Sequence, residues 1–168
     1  MCVILVIATI VVFLLVDWMI QRRRKRVRDA VGSDPLVMKP IGYVQTEFPG
    51  DDGPDGGSSE TSSIVLDPSF AEGLRGTHVG QDILVSFWFH RSEDYTLLQH
   101  PRGDRTRQKR GVFALRSSRR PNPLGLSQVT VLAVEGVVLR VRGLDAVDGT
   151  PVLDLKPVVN PDFDNGTP

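Results

Sequence analysis

The longest uninterrupted hydrophobic pattern in this chain lies at its start. Positions 2–16 read CVILVIATIVVFLLV without a charge, and the run continues through Trp18, Met19 and Ile20 with Asp17 as its interruption. As a helix, 2–20 would be about 28 Å long at 1.5 Å per residue, close to the hydrocarbon thickness of a bilayer. Arg22, Arg23, Arg24, Lys25, Arg26 and Arg28 follow the run instead of preceding it, which is not the order of a signal peptide. The pattern predicts a transmembrane helix over 1–21 and a basic juxtamembrane segment and linker over 22–38. By the distribution of positive charge, a single-pass membrane protein is expected, with the N-terminus outside and the rest of the chain on the cytoplasmic side. A buried helix of the globular part is the competing reading, less consistent with the abrupt basic stop.

Beyond residue 38 the hydrophobic period shortens. Segments 40–46 (PIGYVQT), 63–66 and 83–89 (ILVSFWF) read as strands, and so does the apolar stretch Val112, Phe113, Ala114, Leu115. Positions 128–144 (QVTVLAVEGVVLRVRGL) place two Val-rich runs around Glu135-Gly136, a hairpin signal. Val137, Leu139 and Val141 alternate with Val138, Arg140 and Arg142, which marks the second strand as buried on one face. Only 68–74 (PSFAEGL) looks helical, with Asp67 placed to cap it. Residues 48–63 hold too little apolar material to pack and read as a surface loop. The expected fold is mostly β, a compact closed barrel over 39–168 with one or two short helices.

Composition narrows the class further. Hydrophobic residues make up 40% of the 168, which excludes a wholly disordered chain, and a single Cys excludes an internal disulfide framework. Formal charge is zero, yet unevenly distributed. Residues 1–30 carry a net +4 and 31–168 a net −4, and within the latter the segment 102–120 is +7. That segment contains Arg102, Arg105, Arg107, Lys109, Arg110, Arg116, Arg119 and Arg120 against Asp104 alone. An acidic body with one basic edge suits a polyanion docked in one orientation, and arginine suits phosphate because its guanidinium donates two parallel hydrogen bonds. A solvated loop answering Asp51, Asp52 and Asp55 accounts for 102–109 equally well.

Candidate chemistry concentrates in two stretches. In 110–127 (RGVFALRSSRRPNPLGLS) an Arg-rich turn leads into Pro121 and Pro123, which fix their own φ and bias Arg120 and Asn122 towards extended geometry. In 143–157 (GLDAVDGTPVLDLKP), Asp145, Asp148 and Asp154 stand among apolar residues. Asp148 either accepts backbone N–H groups in its own turn or acts chemically; Asp145, at a strand end, is placed to hold a hydroxyl or an amine. His78, His90 and His100 and the remote Cys2 lack metal-ligand spacing, so no metal is expected.

The stretches GVFALRSSRRPNPLGLS, LDAVDGTPVLDLKP and FWFHRSEDYTLL together resemble the TsaA-like family of tRNA methyltransferases, and the resemblance covers roughly 39–164, almost the whole of the domain after the linker. The resemblance implies a β-barrel that forms a homodimer, binds S-adenosyl-L-methionine and methylates N6 of threonylcarbamoyladenosine beside the tRNA anticodon. It implies a cofactor site at His90, Arg91, Arg116, Leu126, Gly143, Leu144 and Asp145, and substrate contacts from Arg119, Arg120 and Asn122. Removal of the acceptor nitrogen's proton calls for a carboxylate, with Asp145 and Asp148 as the candidates. The family's Pro-Arg-Gln-type loop after the first strand is missing, and EFPGDDGPDGGSSET stands in its place. Phe48–Gly50 would then supply backbone contacts, or cofactor affinity or substrate would differ. A membrane-tethered binding module that keeps the barrel without the reaction is the alternative function, as is methylation of another RNA or small molecule.

Overall fold

The computed structural model describes residues 2–31, 36–46 and 61–159. By their contacts the residues divide into two units, Met1–Val37 and Met38–Pro168. The first holds helix α1, Cys2–Val31, which does not stop at the basic cluster but carries it. The Arg22 guanidinium lies 4.9 Å over the Trp18 ring, a cation–π contact one turn apart on the helix. The expectation of a single-pass anchor with its N-terminus outside is overturned. Among the described residues no helix is long and apolar enough to cross a membrane.

In the second unit, β1 (Gly42–Gln45), β2 (Thr61–Leu66), β3 (Asp82–Trp88), β6 (Leu124–Glu135), β7 (Val138–Arg142) and β8 (Pro151–Pro157) form a closed barrel in the order β1-β2-β7-β6-β3-β8. Closure is made by Gly42 opposite Val152 and Tyr43 opposite Pro151. Every neighbouring pair is antiparallel. Register shifts between Val131 and Ala133 in β6 and beside Ser86–Phe87 in β3 are bulges that bend the sheet round on itself. The expected hairpin is present with its turn one residue later, at Gly136-Val137, where Gly136 takes φ 62°.

Period-2 alternation fills the interior. Ile83, Val85 and Phe87 from β3, Val129 and Val131 from β6, and Leu139 and Val141 from β7 are buried together with Val44, Ile64 and Val152. Phe87 meets Phe89 edge-to-face at 5.2 Å between centroids. Opposite Phe87 stands Gly125, where a Cβ would overlap the phenyl ring. The glycine is the small partner that this large core residue requires.

The expected helix at Pro68–Leu74 forms as a 3-10 helix. Asp67 caps it, accepting from the Ser69 N–H at 2.8 Å and the Ser69 hydroxyl at 2.5 Å. Those bonds, the hydroxyl's first, hold the Asp67 carboxyl below its usual 3.8. The expected strand at 112–115 is instead a 3-10 turn, Val112–Ala114. Val112 alone is buried there while Phe113 is 79% exposed, because the segment lies on an insertion outside the barrel wall and has no sheet face to cover. Residues 47–60, which include most of the expected loop and Phe48–Gly50, fall outside the described residues.

Gly125→Ala should destabilise the protein by about 1–3 kcal/mol through overpacking against Phe87. Gly73→Ala, with open space at its Cβ, should be near neutral by comparison in urea unfolding. Equal midpoints would refute the packing argument. Because the folded-state pKa of Asp67 is depressed, its contribution is present above 3.8 and lost as pH falls through the lowered value. The gap in Tm between wild type and Asp67→Ala should therefore narrow from pH 6 to pH 2; a constant gap would contradict this origin.

Candidate functional site

Antiparallel pairing all round the barrel sends successive connections to opposite ends. β1, β7 and β3 finish at one end, where β2, β6 and β8 begin. His90 and Arg91 follow β3 at that end. Asn122 lies two residues before β6, Leu126 is the third residue of that strand, opposite Ser86, and Gly143, Leu144 and Asp145 follow β7. Arg116, Arg119 and Arg120 lie on the insertion 89–123 that joins β3 to β6, whose two ends also emerge there. The residues singled out from the sequence are thus gathered at one end of the barrel by topology.

Local bonds fix several of them. The Phe89 N–H donates to the Pro123 carbonyl at 2.8 Å, holding the two limbs of the insertion together where they leave the barrel. Arg116 Nη2 donates to the Leu126 carbonyl at 2.9 Å, joining two residues expected in one site. Arg120 Nη1 donates to the Leu115 carbonyl at 3.4 Å. Trp88 and Leu124 oppose each other across β3 and β6, and with Leu126 they leave an exposed apolar strip beside His90.

On the loop between β7 and β8 the two aspartates differ. Asp148 accepts the Thr46 N–H at 3.0 Å, so its carboxylate reaches across to the end of β1 instead of serving its own turn. The Gly149 N–H donates to the Val44 carbonyl at 2.8 Å and the Val44 N–H to the Thr150 carbonyl at 2.9 Å, so the turn is laced to β1. Ser62 Oγ donates to Thr46 Oγ1 at 3.2 Å from the adjoining start of β2. Asp145 is exposed and its side chain has no partner among the described residues. Leu144 is 1% exposed, its side chain in the barrel core, so only its backbone is available to a ligand. Gly143 adopts φ 97°, a conformation natural to glycine, and so brings backbone to the barrel end without a side chain over it.

The basic segment is less uniform than its composition suggests. β4 (Leu98–Gln99) pairs with β5 (Arg110–Gly111) and closes a loop in which His100 Nδ1 donates to the Arg107 carbonyl at 2.7 Å. Asp104 accepts from the Thr106 hydroxyl and N–H and pairs with Arg107 at 3.2 Å; these contacts, the hydroxyl's first, hold its carboxyl below 3.8. A shallow open depression lined by Pro101, Arg107, Gln108 and Arg110 includes none of the expected site residues. Two residues that the sequence did not single out, Ser92 and Gln99, bond the carbonyls of Ser118 and Arg119. They are ordinary polar residues in a polar run, and only the folded arrangement gives them partners.

Residues 45–165 match the family model described as the tRNA-methyltransferase O N-terminal domain. The protein named Probable S-adenosyl-L-methionine-binding protein in Methanothermobacter thermautotrophicus is 44% identical over 125 residues, covering 73% of this chain and 89% of that one. A mouse protein named tRNA (adenine(37)-N6)-methyltransferase is 32% identical, with 83% of this chain aligned to 34% of its length. The crystal structure of TrmO from Pseudomonas aeruginosa superposes with a TM-score of 0.62 at 30% identity, over 80% of this chain and 60% of that one.

Asp148→Ala should lower stability by about 1 kcal/mol through loss of the Thr46 bond, whereas Asp145→Ala should stay within about 0.5 kcal/mol of wild type. Equal effects in denaturant unfolding would contradict the division of roles between the two.

Proposed function

This chain belongs to the TrmO N-terminal-domain family, and from that premise we propose that it is an S-adenosylmethionine-dependent methyltransferase whose substrate is tRNA, with N6 of threonylcarbamoyladenosine beside the anticodon as the methyl acceptor. The observation that carries the reading is the convergence of His90, Arg91, Asn122, Leu126 and Gly143, Leu144 and Asp145 on one barrel end. The chain spans about a third of the mouse methyltransferase and 60% of the TrmO chain, so the activity proposed is one that this part of the fold supports.

The donor set fits the cofactor. S-adenosylmethionine carries a carboxylate, an ammonium, ribose hydroxyls and an adenine, and when bound it supplies a methyl group on a positively charged sulfur. Arg91 is the cation for the carboxylate and Asp145 the free acceptor for the hydroxyls or ammonium. The backbone of Gly143 and Leu144 offers hydrogen bonds to the adenine, and Leu126, bonded through its carbonyl to Arg116, and His90 offer their surfaces. Positioning dominates catalysis of such a transfer, because the nucleophile must approach in line. The proton on the acceptor nitrogen passes to a carboxylate oxygen of Asp145. Asp148 is the weaker candidate, since one of its oxygens accepts the Thr46 N–H. Arg119 and Asn122 face the RNA, with Arg120 beside them turned to the Leu115 carbonyl and contributing its charge, and a second copy of this chain covers the exposed strip at Trp88 and Leu124, giving a homodimer.

A second reading has a specific observation behind it: the archaeal relative at 44% identity is named for binding the cofactor, not for a reaction. The same barrel end then serves as a binding module.

Purified full-length protein, threonylcarbamoylated tRNA and labelled S-adenosylmethionine should yield the methylated nucleoside by mass spectrometry. Asp145→Asn should reduce kcat by about 10²–10⁴-fold. Cofactor binding without incorporation would select the binding module, and incorporation into tRNA lacking threonylcarbamoyladenosine would reassign the acceptor.

A further inference from the structure

The arginines at 116–120 do not all present their guanidinium groups outward. Arg116 and Arg120 direct theirs to the backbone carbonyls of Leu126 and Leu115. Arg119, between them, is exposed, and its side chain has no partner among the described residues. Its backbone is held on every side. The Arg119 N–H donates to Ser117 Oγ at 3.2 Å, its carbonyl accepts from Gln99 Nε2 at 2.5 Å, and the preceding Ser118 carbonyl accepts from Ser92 Oγ at 3.0 Å.

Gln99 has the geometry of a brace. Its one amide nitrogen donates both hydrogens, to Arg119 and to the Thr96 carbonyl at 2.7 Å, so the amide cannot rotate without breaking a bond. Its backbone is fixed in β4 opposite Arg110. Ser92 is held in turn by its N–H donating to the Phe89 carbonyl at 3.0 Å, immediately after β3. The turn bearing Arg119 is therefore tied at two consecutive carbonyls, by one side chain adjoining the barrel wall and one from the β4–β5 ribbon.

We propose that Ser92 and Gln99 are positioning residues that hold Arg119 ready to receive an anionic oxygen of the substrate RNA, an inference that rests on the functional reading above. Fixing the turn before binding removes an ordering cost from each encounter, and a free guanidinium on a fixed backbone is the arrangement that uses this. The anion is either a backbone phosphate or the threonyl carboxylate of the modified base, which share the same bidentate chemistry.

The test uses the full chain with Gln99→Leu, Ser92→Ala, Arg119→Ala and the double variant Gln99→Leu/Arg119→Ala, and an anticodon stem-loop RNA with and without the threonylcarbamoyl group. Gln99→Leu should raise the RNA Kd and the tRNA KM about five- to tenfold while kcat at saturation holds. The double variant should bind no worse than Arg119→Ala alone, because Gln99 acts through Arg119. Additive losses would overturn the proposal, and Ser92→Ala provides the same comparison should Gln99→Leu fold poorly. Loss confined to the modified RNA assigns the carboxylate, and equal loss on both assigns a phosphate. Amide hydrogen exchange at Arg119 and Arg120 should accelerate in Gln99→Leu; unchanged exchange would overturn the brace whatever the substrate. A wild-type chain that neither binds nor methylates RNA would instead fail the functional reading.

Discussion

Closure of the sheet between β1 and β8 is the constraint from which the rest of this domain follows. It rests on two residue pairs, Gly42 with Val152 and Tyr43 with Pro151, the shortest ladder in the barrel. Gly42 is required there because a Cβ would strike the Val65 carbonyl and the Leu66 backbone of the neighbouring strand. A closed sheet has no free edge, and with six strands all antiparallel it has two ends of different character. The long insertion between β3 and β6 and the loop between β7 and β8 are obliged to share one of them. The site is thus a consequence of strand order before it is a consequence of any side chain.

Packing carries that order into local geometry. Phe87 occupies the barrel where β3 meets the start of β6, and its ring requires Gly125 opposite. Fully burying such a ring is worth on the order of 2–3 kcal/mol, so the register of β3 on β6 is well specified at this point. That register sets Trp88 against Leu124 and Ser86 against Leu126, and Arg116 then reaches the Leu126 carbonyl. On the far side Asp148 laces its turn to β1, which places Asp145, three residues earlier, on a loop anchored at its downstream end.

Much of this was legible in the chain because it depends on short-range pattern. Alternation at 137–142, Asp67 before Pro68, and the ILVSFWF run each produced the element that their spacing implies. Failures occurred where position in the fold overrides pattern. Val112, Phe113 and Ala114 have strand composition, yet the barrel is already closed by other strands and they turn outside it. The apolar start of the chain suggested a membrane span, but its helix runs on through the basic cluster, and the described residues contain no span of sufficient length and apolarity. Asp148 was legible as a turn residue, not as the acceptor for Thr46, a partner 102 positions away. Ser92 and Gln99 gave no signal at all, since their role is to bond carbonyls, which every residue has.

The same distinction changes what the basic segment means. Counting charge at 102–120 gives a net of +7 and suggests one polyanion-binding edge. Geometry separates the arginines by task. Arg107 answers Asp104, while Arg116 and Arg120 brace carbonyls on the insertion and at the start of β6. A guanidinium bonded to a carbonyl keeps its charge and still contributes to the field that steers an anion inward. What it gives up is the freedom to meet that anion with a paired set of donors. Long-range attraction and close recognition are therefore separable here: the whole segment provides the first, whereas the second falls to those arginines whose donors the fold has left open and whose backbone it has fixed.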